Sequence, residues 1–70
     1  MNTAENVRAS YRAGMADGQR DVLAGLRARP AESLAMLQNK PTSLASYVAG
    51  YVQSYKDDAD KAGRLALEKT

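Results

Sequence analysis

Apolar side chains in the first part of the chain recur at the spacing of an α-helix. Most of them lie three or four residues apart, and three glycines share the same side of the helix. The set comprises Val7, Tyr11, Gly14, Met15, Gly18, Val22, Gly25 and Leu26. Thr3 is suited to cap this helix, and Pro30 stops it. The pattern therefore predicts a first long helix over about residues 3–29.

Pro30 also suits the first position of a second helix. This short helix is predicted over about residues 31–39, and it ends before Pro41. Leu34, Met36 and Leu37 are its apolar residues.

A third helix is predicted over about residues 43–68, capped by Thr42 or Ser43 and free of proline. Its apolar side is formed by Leu44, Tyr47, Val48, Tyr51, Tyr55, Ala59, Ala62 and Ala66. We therefore expect residues 1–70 to form one small all-α domain. In it, two long helices joined by a short helix make a helical hairpin, which a second copy of the chain would complete by dimerisation.

The two long helices have complementary surfaces. Tyr47, Tyr51 and Tyr55 stand at positions i, i+4 and i+8, so their rings follow one side of the third helix. Gly14 and Gly18 have no side chain, so they leave the backbone of the first helix accessible to a neighbour. Each glycine lowers the stability of the helix by about 1 kcal/mol relative to alanine. We expect the tyrosine row to pack on this glycine surface, within one chain or between two.

Composition narrows the function. The chain has no His, which is the commonest general base, and no Cys, which supplies the thiol nucleophile. The run from Asp57 to Asp60 lacks the central Gly and the final Glu of a calcium-binding loop. We therefore expect no catalysis, cofactor, metal or small-molecule substrate.

The large apolar side chains are few, 17 without Met1, in a chain of 70 residues. A chain of this size buries only about 60% of its unfolded surface. A homodimer or a complex with a larger partner is therefore expected. The lack of Cys fits the cytoplasm, and neither a secretory leader nor a transmembrane segment is expected.

Positive charge is concentrated at the beginning of the chain. Residues 1–29 contain five Arg and three acidic residues, whereas residues 30–70 contain five of each sign. The candidate contacts to RNA or to a partner are Arg8, Arg12, Arg20 and Arg27. The other interpretation is a solvated helix face with intrahelical pairs such as Asp17 with Arg20.

A five-residue motif occurs twice. Tyr11-Arg12-Ala13-Gly14-Met15 and Tyr47-Val48-Ala49-Gly50-Tyr51 both read Tyr-x-Ala-Gly followed by a large apolar residue. With a proline-bounded connection between them, residues 9–56 resemble the ribosome modulation factor family, whose second helix has Trp-x-x-Gly-Trp where this chain has tyrosines. The resemblance implies reversible binding to the ribosome that down-regulates translation, with the four arginines on rRNA phosphates.

The residues alone favour a second class. Ala-rich helices with glycine notches and one aromatic row are typical of small interaction modules that self-associate or dock on a larger protein, such as regulatory or phage-type adaptors and inhibitors. A DNA-binding helix-turn-helix is less favoured, because the residues 29–39 contain no turn glycine and the last helix is acidic in its middle.

Overall fold

The structure is a computed structural model that describes the backbone of residues 3–68 and the side chains of residues 4–61. It contains three helices: α1 (Thr3–Leu23), α2 (Pro30–Ala35) and α3 (Leu44–Glu68). The predicted all-α class, with two long helices joined by a short one, is confirmed. The expected cap by the Thr3 side chain, and Ala62 and Ala66 of the predicted apolar side, lie outside the described side chains.

The first helix ends at Leu23 rather than near Arg29. Gly25 has a left-handed backbone with φ of +73°, and its N–H donates to the carbonyl of Val22 at 3.0 Å. The N–H of Leu26 reaches the carbonyl of Asp21 at 2.9 Å. These two bonds define a Schellman motif, in which the glycine stops the helix before the proline is reached.

The short helix begins at Pro30, as predicted, but ends at Ala35 instead of residue 39. Its carbonyl end is capped by the Lys40 ammonium group, which donates to the carbonyls of Leu34, Ala35 and Leu37 at 2.8–3.0 Å. A lysine that satisfies these carbonyls takes the place of a further helical turn.

The third helix begins one residue after Ser43. The Ser43 hydroxyl accepts the backbone N–H of Ser46 at 3.3 Å, the usual N-cap bond. The Ser43 backbone N–H in turn donates to the Ser10 hydroxyl at 3.0 Å, which fixes the start of α3 beside α1.

The two long helices run parallel, whereas a helical hairpin makes them antiparallel. Contacts along the pair advance in the same direction on both helices: Ser10 meets Ser43, Gly14 meets Tyr47, and Gly18 meets Tyr51. The connection over residues 24–43, with α2 inside it, is long enough to return to the beginning of α1. A hairpin requires a short connection, and this chain does not have one.

The core lies between α1 and α3. Tyr47 and Tyr51 are the buried hydrophobic residues among the described side chains, and both are 0% exposed. The molecule is elongated, with extents of 51 × 22 × 13 Å. Among the described residues, no helix combines the length and the apolar character needed to cross a bilayer.

Candidate functional site

The two copies of the Tyr-x-Ala-Gly motif pack on each other reciprocally. A Cβ atom added to Gly14 would overlap the carbonyl group of Tyr47, with 2.8 Å to its carbon. A Cβ atom added to Gly50 would overlap the carbonyl group of Tyr11, with 3.0 Å to its carbon. Each glycine therefore receives the backbone of the tyrosine in the other copy, and the two helices are related by a local twofold axis along their length.

Small residues extend this contact in both directions. Ser10, Gly14 and Gly18 are buried at i, i+4 and i+8 on α1, and Gly50 and Ser54 are buried on α3. A Cβ atom at Gly18 would stand 2.5 Å from the carbonyl oxygen of Tyr51. Small residues four apart allow helix backbones to approach closely. The glycines of α1 thus face backbone, not the tyrosine rings that the sequence suggested.

The tyrosine rings pass beside α1, and their hydroxyl groups end on polar groups of that helix and of the connection. Tyr47 donates to Asp17, and Tyr51 donates to Asp21 at 2.5 Å. Tyr55 donates to the carbonyl of Leu26 at 2.7 Å, and its ring stacks on that of Tyr51 with 6.1 Å between centroids. The row therefore determines the axial position of α3 relative to α1.

Asp21 is the centre of the polar contacts. Its side chain is fully buried, and its carboxylate accepts hydrogen bonds from Arg20 at 2.9 Å, Tyr51 at 2.5 Å and Arg29 at 3.3 Å. The hydrogen bond from Arg20 lowers the pKa of Asp21 to about 2, and those from Tyr51 and Arg29 act in the same direction against the effect of burial. The buried aspartate is therefore ionised.

Ser33 of α2 joins the same network. Its buried hydroxyl lies 2.7 Å from the Tyr47 hydroxyl and accepts a hydrogen bond from Arg20 at 3.1 Å. Burial raises the pKa of Tyr47 to about 12, and its hydrogen bond to Asp17 contributes. Every buried side-chain N or O atom of the described residues has a hydrogen-bond partner. These groups therefore bind one another and hold the three helices together.

The four candidate arginines divide into two groups. Arg20 is paired with Asp17 and Asp21, so it is part of the internal network. Arg8, Arg12 and Arg27 are exposed, and no ion pair links them to an acid within the described part of the chain. The first two lie one turn apart on α1, and Arg27 follows the end of that helix.

Five polar residues that join the helices were not predicted in that role. Asp17, Asp21, Arg29 and Ser33 belong to the network around Asp21, whereas Ser10 binds the start of α3 separately. Asp17 was predicted only as an intrahelical partner of Arg20, a pair that is present. A signal was present: Asp17 and Asp21 are four residues apart and follow Gly14 and Gly18 by three. Acidic residues on the glycine side of α1 face the helix that packs against that side. Because this helix is α3, which carries the tyrosine row, the acids meet tyrosine hydroxyl groups.

Large apolar side chains remain on the surface because glycine, serine, aspartate and tyrosine occupy the helix contact. Among the described residues, those at least 40% exposed are Val7, Met15, Leu23, Leu26, Met36, Leu44 and Val52. Leu23 is the most exposed of them, at 78%. Where such side chains are contiguous, the surface is typical of a binding site.

Comparison of the chain with protein-family models, with curated proteins and with solved structures gives no significant match.

Proposed function

We propose that this chain is a small, non-catalytic helical interaction module that acts by docking on a larger protein. The observation that supports the proposal is the distribution of apolar side chains. The helix contact is closed by small and polar residues, so leucine, valine and methionine side chains that would ordinarily form a core face outward. The lack of Cys fits a cytoplasmic location.

The docking surface that we propose is the α2–α3 face, formed by Ala31, Leu34, Ala35, Leu44, Val48 and Val52. Leu44 and Val52 are 51% and 49% exposed, and Val48 lies between them on the same side of α3. Leu44 also lines a shallow groove with Leu34 of α2 and Lys40. From Leu44 to Val52 the face extends about 12 Å, which matches two turns of a partner helix.

Charge identifies the kind of partner. Lys40 borders the groove, and Lys56 lies one turn beyond Val52. The complementary ligand is an amphipathic helix with an apolar stripe and acidic flanks. A second copy of the chain docked on this face would bring like charges together.

Ribosome binding is the second candidate, and the exposed arginines favour it. Arg8, Arg12 and Arg27 have the exposure that phosphate contacts require, whereas Arg20 is occupied by Asp21. In this alternative the chain down-regulates translation, as its resemblance to ribosome modulation factors implies, and the tyrosines have only an internal role.

Two synthetic amphipathic helices with the same leucine stripe, one flanked by Glu and one by Lys, test the first proposal by fluorescence anisotropy. We expect the Glu peptide to bind and the Lys peptide not to bind. Leu44→Ser with Val52→Ser should abolish binding, whereas Leu23→Ser, which changes a more exposed leucine outside this face, should retain it. Equal binding of both peptides, or binding that survives the double substitution, would contradict the proposal.

Co-sedimentation with purified ribosomes tests the second candidate. Binding that falls steeply with salt, and that is lost in Arg8→Gln with Arg27→Gln, would favour ribosome binding. These substitutions leave the α2–α3 face intact, so the two results are independent.

A further inference from the structure

We propose that a second surface of the molecule binds a second copy of the chain, giving a twofold-symmetric dimer of two helix pairs. The surface is the α1 groove, lined by Arg12, Met15, Ala16 and Gln19 of α1 and by Ser54, Asp57 and Asp58 of α3. This inference goes beyond docking on a larger protein, because it uses residues outside the α2–α3 face.

The charges of the α1 groove are arranged lengthwise. Because α1 and α3 run parallel, Arg12 lies at the end nearer their N-termini, and Arg8 lies one turn further out on the same side. Asp57 and Asp58 lie at the other end, one turn beyond Ser54. One end of the groove is therefore basic and the other is acidic.

This order makes the groove complementary to itself. In a twofold contact the same surface meets itself in the reversed direction. The basic end of each copy then faces the acidic end of the other, so that Arg12 lies against Asp57 and Asp58 of the second copy. Two basic residues, Arg8 and Arg12, balance two acidic ones.

The middle of the surface supplies apolar contact. Met15 is 40% exposed and Leu23 is 78% exposed, and they lie at i and i+8 with Gln19 between them. A twofold axis at Gln19 places Leu23 of each copy over Met15 of the other. The pairing covers the most exposed large apolar side chain of the described residues.

The test is sedimentation equilibrium of the full chain over a range of concentrations and salt. We expect a reversible dimer that weakens as salt rises. Arg12→Glu and Asp57→Lys should each weaken the dimer about tenfold or more, because each places like charges together. Lys56→Glu, which changes the net charge as Arg12→Glu does but faces away from the groove, should have no effect.

The decisive experiment mixes the two groove variants. When the Arg12→Glu chain meets the Asp57→Lys chain, opposite charges face each other at both ends of the contact. We therefore expect the mixture to form a heterodimer, although each variant pairs only weakly with itself. Circular dichroism should show that both variants remain helical. A wild type that is monomeric in the millimolar range, single variants that dimerise normally, or a mixture that stays monomeric would each overturn the proposal.

Discussion

Gly14 and Tyr47 are in backbone contact across the two long helices, and the carbonyl of Tyr47 occupies the space of the missing Cβ atom of Gly14. The same relationship holds between Gly50 and Tyr11. A contact made by backbone alone leaves no room for adjustment by side-chain rotation, so it determines how far apart the helices lie.

Substitution of Gly14 by alanine should therefore destabilise the fold. Helix propensity alone predicts that Gly14→Ala stabilises by about 1 kcal/mol. Overpacking against Tyr47 should reverse the sign and give a net loss of about 1–3 kcal/mol. Urea denaturation followed by circular dichroism measures the change. A gain in stability would show that the helices separate without cost.

Removal of the Tyr51 hydroxyl group should cost more than removal of the Tyr55 hydroxyl group. Tyr51 donates to the buried Asp21 carboxylate and accepts the backbone N–H of Arg29 at 3.0 Å. Tyr51→Phe leaves that N–H without its acceptor, so we expect a loss of about 1–3 kcal/mol. Tyr55→Phe removes a single hydrogen bond, which is more exposed to solvent and is worth about 0.5–1.5 kcal/mol. Equal losses in thermal denaturation would contradict the burial argument.

Stability should fall in acid through Asp21. Its pKa is about 2 in the folded protein against an ordinary value of 3.8, so its contribution is complete above pH 3.8 and is lost as the pH falls towards 2. The contribution at neutral pH is about 2 kcal/mol. Asp21→Asn should be less stable than the wild type at pH 7, and the difference should narrow between pH 4 and pH 2. A constant difference over that range would contradict the assignment.

Loss of the Lys40 ammonium group should loosen α2 without unfolding the helix pair. Lys40 donates to three carbonyls at the end of α2. Lys40→Ala should accelerate amide hydrogen exchange in α2 and reduce global stability by at most about 1 kcal/mol. Lys56→Ala, on the exposed side of α3, provides the control. An unchanged exchange rate in α2 would show that the cap is dispensable.

Helical periodicity predicted the identity and order of the helices, because propensity and spacing are local properties. The predicted inner side of α1 included Gly14 and Gly18, which are buried, but also Val7, Met15 and Leu26, which are each 40% exposed. The inner side extends instead to Asp21, and a hydrophobic pattern gives an aspartate no weight. A buried aspartate is recognisable only when its partners Tyr51 and Arg29 are known, and they are distant in sequence.

The direction of the helices was not predictable from periodicity either. Parallel and antiparallel pairs have the same stripes, and the choice depends on where the connection goes. Here Gly25 ends α1 early, and the Ser43 N–H binds Ser10, which returns the chain to the beginning of α1. Both signals lie in the connecting segment, outside the apolar pattern.

The parallel arrangement also has a consequence for the rate of folding. The bonds from Tyr47 to Asp17, from Tyr51 to Asp21, and from Tyr55 to Leu26 join residues 29 or 30 positions apart, and the bond from Ser43 to Ser10 spans 33. No early turn brings the two helices together, so a long loop must close before any of these contacts forms. The chain should therefore fold more slowly than an antiparallel helix pair of equal length, with its transition state limited by loop closure and not by helix formation.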